Sequence, residues 1–205
     1  MATLTQIVDG ELSSDKKLRR ARQIVDELAE EDPEAAEKHF PEFYFDQQTG
    51  FYDKTVFETQ KLPKLVKKNK TLGYALIDID NTKVINDTYG HDIGDGVILY
   101  VVDMIKASTR KDDTLYGRLG DKSDEFGIAL PGATAEQVYE VGERIRQAVE
   151  QGDKTKYRIP EEVKVTVSIG VTELRQGTRL MMREADRALY ASKENRNKVS
   201  CSWAA

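Results

Sequence analysis

The chain has a single cysteine, Cys201, and no apolar run near the ~20 residues that cross a bilayer as a helix. The first scarcity excludes an internal disulfide framework and fits a reducing, cytoplasmic setting. The second argues against a membrane-spanning or membrane-anchored chain. The opening MATLTQIVDGELSSDKKLRR lacks a basic segment followed by a long apolar core, so no secretory signal is expected. Basic blocks are missing too: 31 Lys and Arg are scattered among 36 Asp and Glu, for a net charge of −5. Nonspecific nucleic-acid binding is therefore not expected. An acidic chain can still hold a polyphosphate where divalent cations stand between its carboxylates and the ligand. Internal repeats and low-complexity tracts are also absent, and GDKS lacks the glycine–lysine adjacency and upstream glycine of a P-loop.

What is present suits one moderate domain plus an appendage: 205 residues, 39% hydrophobic and 33% charged. Residues 1–40 read as a helical segment. Ser13 or Ser14 can cap a helix over Lys16–Glu30, and Asp32-Pro33-Glu34 starts another. Leu18, Ala21, Val25 and Leu28 form a narrow seam on the first. A helix packed on its own domain and a dimerising coiled coil both fit it, because two heptads are too few to decide. FPEFYFDQQTGFY breaks the pattern with Pro41 and Gly50, which puts the boundary of a second domain, 41–205, in this stretch.

Beyond it a helix is expected from Asp53 to about Lys68, a strand over TLGYALIDID, and a helix over HDIGDGVILYVVDMIKASTR. TLYGRLG and DEFGIALP then read as a hairpin around Gly120-Asp121-Lys122-Ser123. Thr134 with Gln137 makes a capping box, VKVTVSIGVTEL reads as a strand, and a helix over Thr178–Lys193 precedes a short strand near Val199–Trp203. Hairpins mixed with helical connections predict an α+β fold, an α/β sandwich with a mixed sheet and helices packed against it.

Two places could carry chemistry. Strand alternation puts Asp78 and Asp80 on one face, where like charges repel unless a cation intervenes. For Asp80 alone, capping the next turn with Asn81 is the simpler reading. Asp124 and Glu125 open the second strand of the hairpin and point to opposite faces, so at most one meets Asp78 from the same side. If the two strands are neighbours, an oxygen cluster of the kind that holds Mg²⁺ or Mn²⁺ results. If they are not, the acidic pair is a solvated turn.

DQQTGFYDKTVF, DIDNTKVINDTYGHDIGD, VSIGV and ADRALYASKENRN occur in the order found in GGDEF domains, the catalytic domains of diguanylate cyclases, and from Asp46 to Val199 the chain resembles that family. The resemblance implies a nucleotidyl-cyclase, palm-like fold with a central, mostly antiparallel sheet. It implies condensation of two GTP into cyclic di-GMP with release of two pyrophosphates, at the interface of a homodimer. It implies Asp78, the Ile79 carbonyl, Asp124 and Glu125 as metal ligands, with Asp124, Glu125 and Lys193 catalytic. Asn86 and Asp95 match the residues that read guanine, and Lys193 and Arg196 the pair that holds phosphate. Arg110 and Asp113, with Arg144, suggest the family's inhibitory product site.

The chain departs from the family in four places. The Gly-Gly turn before the acidic pair becomes Gly120-Asp121-Lys122-Ser123, two residues longer and without the second glycine. Lys122 could replace backbone amides as a phosphate partner or be a solvated turn lysine. Thr82 stands where the family has phenylalanine. KENRN lacks the glycine before arginine, so Arg196 lies one residue nearer Lys193. One extra residue separates Asp113 from Arg118. The leading expectation is a cytoplasmic diguanylate cyclase, full or reduced in activity. The alternatives are a catalytically silent module that binds GTP or cyclic di-GMP, and a structural dimerisation protein with a vacant site.

Overall fold

The structure, a computed structural model, describes residues 14–117 and 124–202, with side chains from residue 20 onward. The GDKS turn, including Lys122 and the position of the lost glycine, lies outside the described residues, as does Trp203. The chain forms two compact units, residues 1–47 and 48–205. In the first, α1 (Ser14–Glu31) leads into α2 (Pro33–His39), where Asp32 accepts the Ala35 N–H at 3.0 Å and Pro33 fills the first turn. Arg22 donates to the Phe43 carbonyl at 3.1 Å and lies beside Asp26. Along the expected seam Ala21 and Val25 are buried, whereas Leu28 is exposed.

The second unit is built on one six-stranded sheet. Its strands are β1 (Tyr52–Asp53), β2 (Leu72–Ile79), β3 (Thr114–Gly117), β4 (Glu125–Pro131), β5 (Val167–Glu173) and β6 (Val199–Cys201), in the spatial order β1-β3-β4-β2-β5-β6. The four central strands pair antiparallel, and β1 and β6 pair parallel at the two edges. This is the mostly antiparallel sheet that the resemblance implies. The two-residue β1 carries no apolar alternation that could announce it.

β2 is central and covered on both faces, so it reads as a nearly continuous apolar run. Ala75, Ile77 and Ile79 belong to a large aliphatic cluster with Val101 and Ile105 of α5 (His91–Ser108) and Val138 and Ile145 of α6 (Ala135–Gln151). Leu72 and Tyr74 belong to a smaller aromatic one with Phe57, Tyr116, and Met181 and Ala185 of α7 (Thr178–Lys193). The Tyr74 and Tyr116 hydroxyls bond each other inside it.

Three elements differ from expectation. The helix after Asp53, α3, is interrupted: Lys54–Val56, a π-helical turn Phe57–Lys61 in which the Leu62 N–H reaches the Phe57 carbonyl, then Leu62–Lys68. Pro63, which lacks an N–H and crowds the preceding turn, accounts for the break. A short helix α4 (Thr82–Tyr89) precedes α5, because Gly90 turns the chain at φ 87°. β5 starts at Val167, since Val163 and Val165 are buried outside the ladder.

α7 lies unusually close to β5. A Cβ on Gly170 would stand 2.2 Å from the Leu189 backbone nitrogen and 2.3 Å from the Ala185 carbonyl oxygen. Only glycine permits that approach.

Candidate active site

The C-terminal end of β2 and the start of β4 lie side by side, with Asp78 opposite Glu125 and the Ile79 N–H donating to the Asp124 carbonyl at 3.3 Å. Directly opposed residues of an antiparallel pair share a face, so Glu125 accompanies Asp78 and Asp124 turns to the other side. Asp78 is 4% exposed. The last turn of α7 brings Lys193 to it, Nζ to Oδ2 at 2.5 Å, through the close seating of that helix on Gly170. Burial, helped by the Asp124 and Glu125 charges, pushes the Asp78 carboxyl up to about 6 against the pull of Lys193. Among the described residues, this buried carboxylate has one ammonium partner and two acidic neighbours, and is short of positive charge.

Asp80 does something different from either reading of it. It neither shares a face-on cation site with Asp78 nor caps a turn, and Asn81 makes no side-chain cap bond. Its Oδ2 accepts from Thr166 Oγ1 at 2.7 Å and the Asn197 N–H at 2.9 Å, and its Oδ1 from Ser168 Oγ at 2.7 Å. Those partners lie 86, 117 and 88 residues away, so the local sequence could not announce them. Thr82, at the family's phenylalanine position, is buried and donates through Oγ1 to the Ile79 carbonyl at 3.0 Å.

Asn86 lies on α4 with its Oδ1 buried and without a hydrogen-bond partner. It presses on Gly94, where a Cβ would fall 1.7 Å from that oxygen, and exposed Asp95 is the next residue. An unpaired buried acceptor costs free energy unless a ligand donates to it. Arg196 is exposed and follows the end of α7 at φ 53°, its N–H bonded to the Ser192 carbonyl at 2.9 Å.

Elsewhere, Arg110 pairs with Asp113 at 2.7 Å. Arg144 donates to the Ser108 carbonyl, two residues before Arg110, at 2.8 and 3.1 Å. The three suggested inhibitory-site residues are thus gathered near the end of α5. Among the described residues, no three His, Cys, Asp or Glu side chains converge as a metal cluster. No helix among them is long and apolar enough to cross a membrane.

A mixed α+β sheet with a carboxylate pair at the ends of two central antiparallel strands defines a palm-like domain. The family model "Diguanylate cyclase, GGDEF domain" matches residues 43–198, and the chain belongs to that family. The probable diguanylate cyclase DgcT of Escherichia coli K12 is 39% identical over 161 residues, covering 75% of this chain and 34% of DgcT. Diguanylate cyclase A of Treponema denticola is 41% identical over 140 residues, covering 66% and 36%. The chain thus spans about a third of the length of these relatives. The GGDEF domain of DgcB from Caulobacter crescentus, solved in complex with c-di-GMP, superposes with a TM-score of 0.68 at 30% identity, over 77% of this chain and 95% of that one. The coiled coil and GGDEF domain of the same protein gives 0.68 at 27% identity, over 93% and 100%.

Proposed function

We propose that the chain is a diguanylate cyclase, joining two GTP into cyclic di-GMP and two pyrophosphates where two copies meet. The observation that carries this is the register of Asp78 against Glu125 with the Ile79 carbonyl beside them. These are hard oxygen donors, and Mg²⁺ or Mn²⁺ is commonly held by one or two carboxylates completed by phosphate oxygens, so the absence of a three-carboxylate cluster among the described residues is no obstacle. Asp78, the Ile79 carbonyl and Glu125 would hold the ion, which when bound polarises the α-phosphate, and Asp124, which starts on the other side of the strand, would have to swing round to join them. Asn86 Oδ1, buried and unpaired, would accept from guanine N–H donors, as would the Asp95 carboxylate, whereas adenine offers an acceptor at N1. Lys193 would leave Asp78 for the triphosphate as the ion arrives, with Arg196 beside it.

Dimerisation belongs to this proposal because each GTP must attack the other. α1 would support it as a helical segment ahead of the cyclase domain; the DgcB structure that aligns over 93% of this chain comprises a coiled coil and a GGDEF domain. Arg110, Asp113 and Arg144 would form a site for cyclic di-GMP, with product displacing the Arg110–Asp113 pair. A cytoplasmic location goes with GTP as substrate.

A second reading, a silent module that binds GTP or cyclic di-GMP, draws on the same ion pair, since Lys193 already neutralises the carboxylate a metal would need. Incubation with GTP and Mg²⁺ or Mn²⁺, followed by chromatography of the nucleotides, separates the two. The cyclase yields cyclic di-GMP, and Asp78→Ala and Asp124→Ala each reduce turnover by more than about 100-fold. GTP binding without product in the wild type favours the silent module.

A further inference from the structure

Two basic residues at the end of α7 reach the end of β2 in different ways. Lys193 arrives by its side chain, on Asp78. Arg196 is held through its backbone. The residue takes φ 53° and Asn197 takes φ 43°, two consecutive left-handed positions without glycine. L-residues visit that region rarely, and helices usually leave it to glycine just past their ends. Here Arg196 itself occupies the left-handed slot, its N–H bonded to Ser192 four residues back. Something must hold the loop in this shape.

Asp80 supplies the hold. Its buried carboxylate accepts the Asn197 N–H and is itself fixed by the Thr166 and Ser168 hydroxyls, while its own N–H donates to the Thr166 carbonyl at 2.9 Å. The Asn197 side chain is pinned separately, donating to Glu150 at 2.6 Å and accepting from Arg146 at 3.0 Å. The Arg196 guanidinium, by contrast, has no hydrogen bond or ion pair among the described residues. The clamp fixes where the Arg196 backbone sits, and the exposed guanidinium is left available to an anion within its reach.

We propose that Asp80 is a positioning residue for triphosphate recognition: by clamping the Asn197 amide to the end of β2 it aims Arg196 at the phosphates, without touching nucleotide or metal. The inference rests on the nucleotide reading above and adds a role for a carboxylate which that reading leaves unused.

The test measures binding of the α,β-methylene analogue of GTP and of GMP by calorimetry in Mg²⁺, for wild type, Asp80→Asn, Arg196→Ala and the double variant. An amide keeps the shape but cannot accept at both ends. Asp80→Asn is expected to weaken the triphosphate about tenfold and GMP less than about twofold, and to add less than about twofold in the Arg196→Ala background. Equal losses on both ligands, no loss, or full additivity with Arg196→Ala would overturn the proposal. Should Asp80→Asn fail to fold, Thr166→Val and Ser168→Ala decide it, a selective triphosphate loss of about threefold supporting and a uniform or absent loss opposing. A wild type that binds neither ligand would bring down the nucleotide reading and this role with it. One that binds both, with the wrong selectivity in the variants, would bring down only the role of Asp80.

Discussion

The two faces of β2 are built from alternate residues of one eight-residue strand, yet they do different work. The face of Ala75, Ile77 and Ile79 closes into a large aliphatic core under α5 and α6 and carries no charged side chain within the strand. The face of Leu72, Tyr74, Leu76 and Asp78 passes from a smaller aromatic cluster into a buried carboxylate paired with Lys193. The first face supplies the rigidity, and the second uses it to hold Asp78 out of water. A buried, underpaired charge survives only where the surrounding structure is stable enough to tolerate it.

The contrast is most vulnerable where α7 meets β5. Gly170→Ala puts a methyl group into the backbone of α7 at Ala185 and Leu189, and a helix backbone cannot move aside as a side chain can. The expected loss is about 4 kcal/mol by urea unfolding, with Lys193 drawn off Asp78. A loss under about 1 kcal/mol would mean that the helix is not seated on Gly170. Next in size is the face comparison itself. Ile77→Ala, in the fully buried aliphatic face, should cost about 3 kcal/mol, and half-buried Leu76→Ala on the other about 1. Equal losses would erase the difference between the faces.

Much of the frame could be read from the residues. Val97, Ile98, Val101, Val102 and Ile105 all lie buried on one helix, and Thr134 and Gln137 form the reciprocal capping box. Those signals are local, set by helical spacing or by positions three apart. The neighbouring of β2 and β4 is not local, and only the family resemblance suggested it. The role of Asp80 was legible from neither source, because its partners converge through the fold of β5 and the loop after α7. The clue available in KENRN was a helix end without glycine, which has to be held by something other than its own conformational freedom.

Asp78 gives a third, smaller test, in pH. Its carboxyl is raised from 3.8 to about 6 in the folded chain, so the native state binds the proton more tightly than the unfolded state does. The stability this brings is fully present below pH 4 and is lost as pH rises through about 6. With divalent cations chelated, the wild-type curve should fall relative to Asp78→Asn by roughly 2 kcal/mol between pH 4 and 7.5. Parallel curves would show that Lys193 compensates the buried charge completely, and would remove the reason for calling the second face electrostatically strained.

The smallest effect tests whether the aromatic cluster beneath that site is a packed unit or merely filler. Tyr74 and Tyr116 are each almost fully buried, their rings are stacked with Phe57, and their hydroxyls satisfy each other across 42 residues of sequence. Tyr74→Phe leaves the Tyr116 hydroxyl in the core without its partner and should cost about 1–2 kcal/mol, as should Tyr116→Phe. Removing both hydroxyls leaves no orphan, so the double variant should be no less stable than either single one. Additive losses would mean that each hydroxyl has another partner. The two hydroxyls would then be held independently, and the aromatic cluster would lack the internal hydrogen bond that ties β2 to β3.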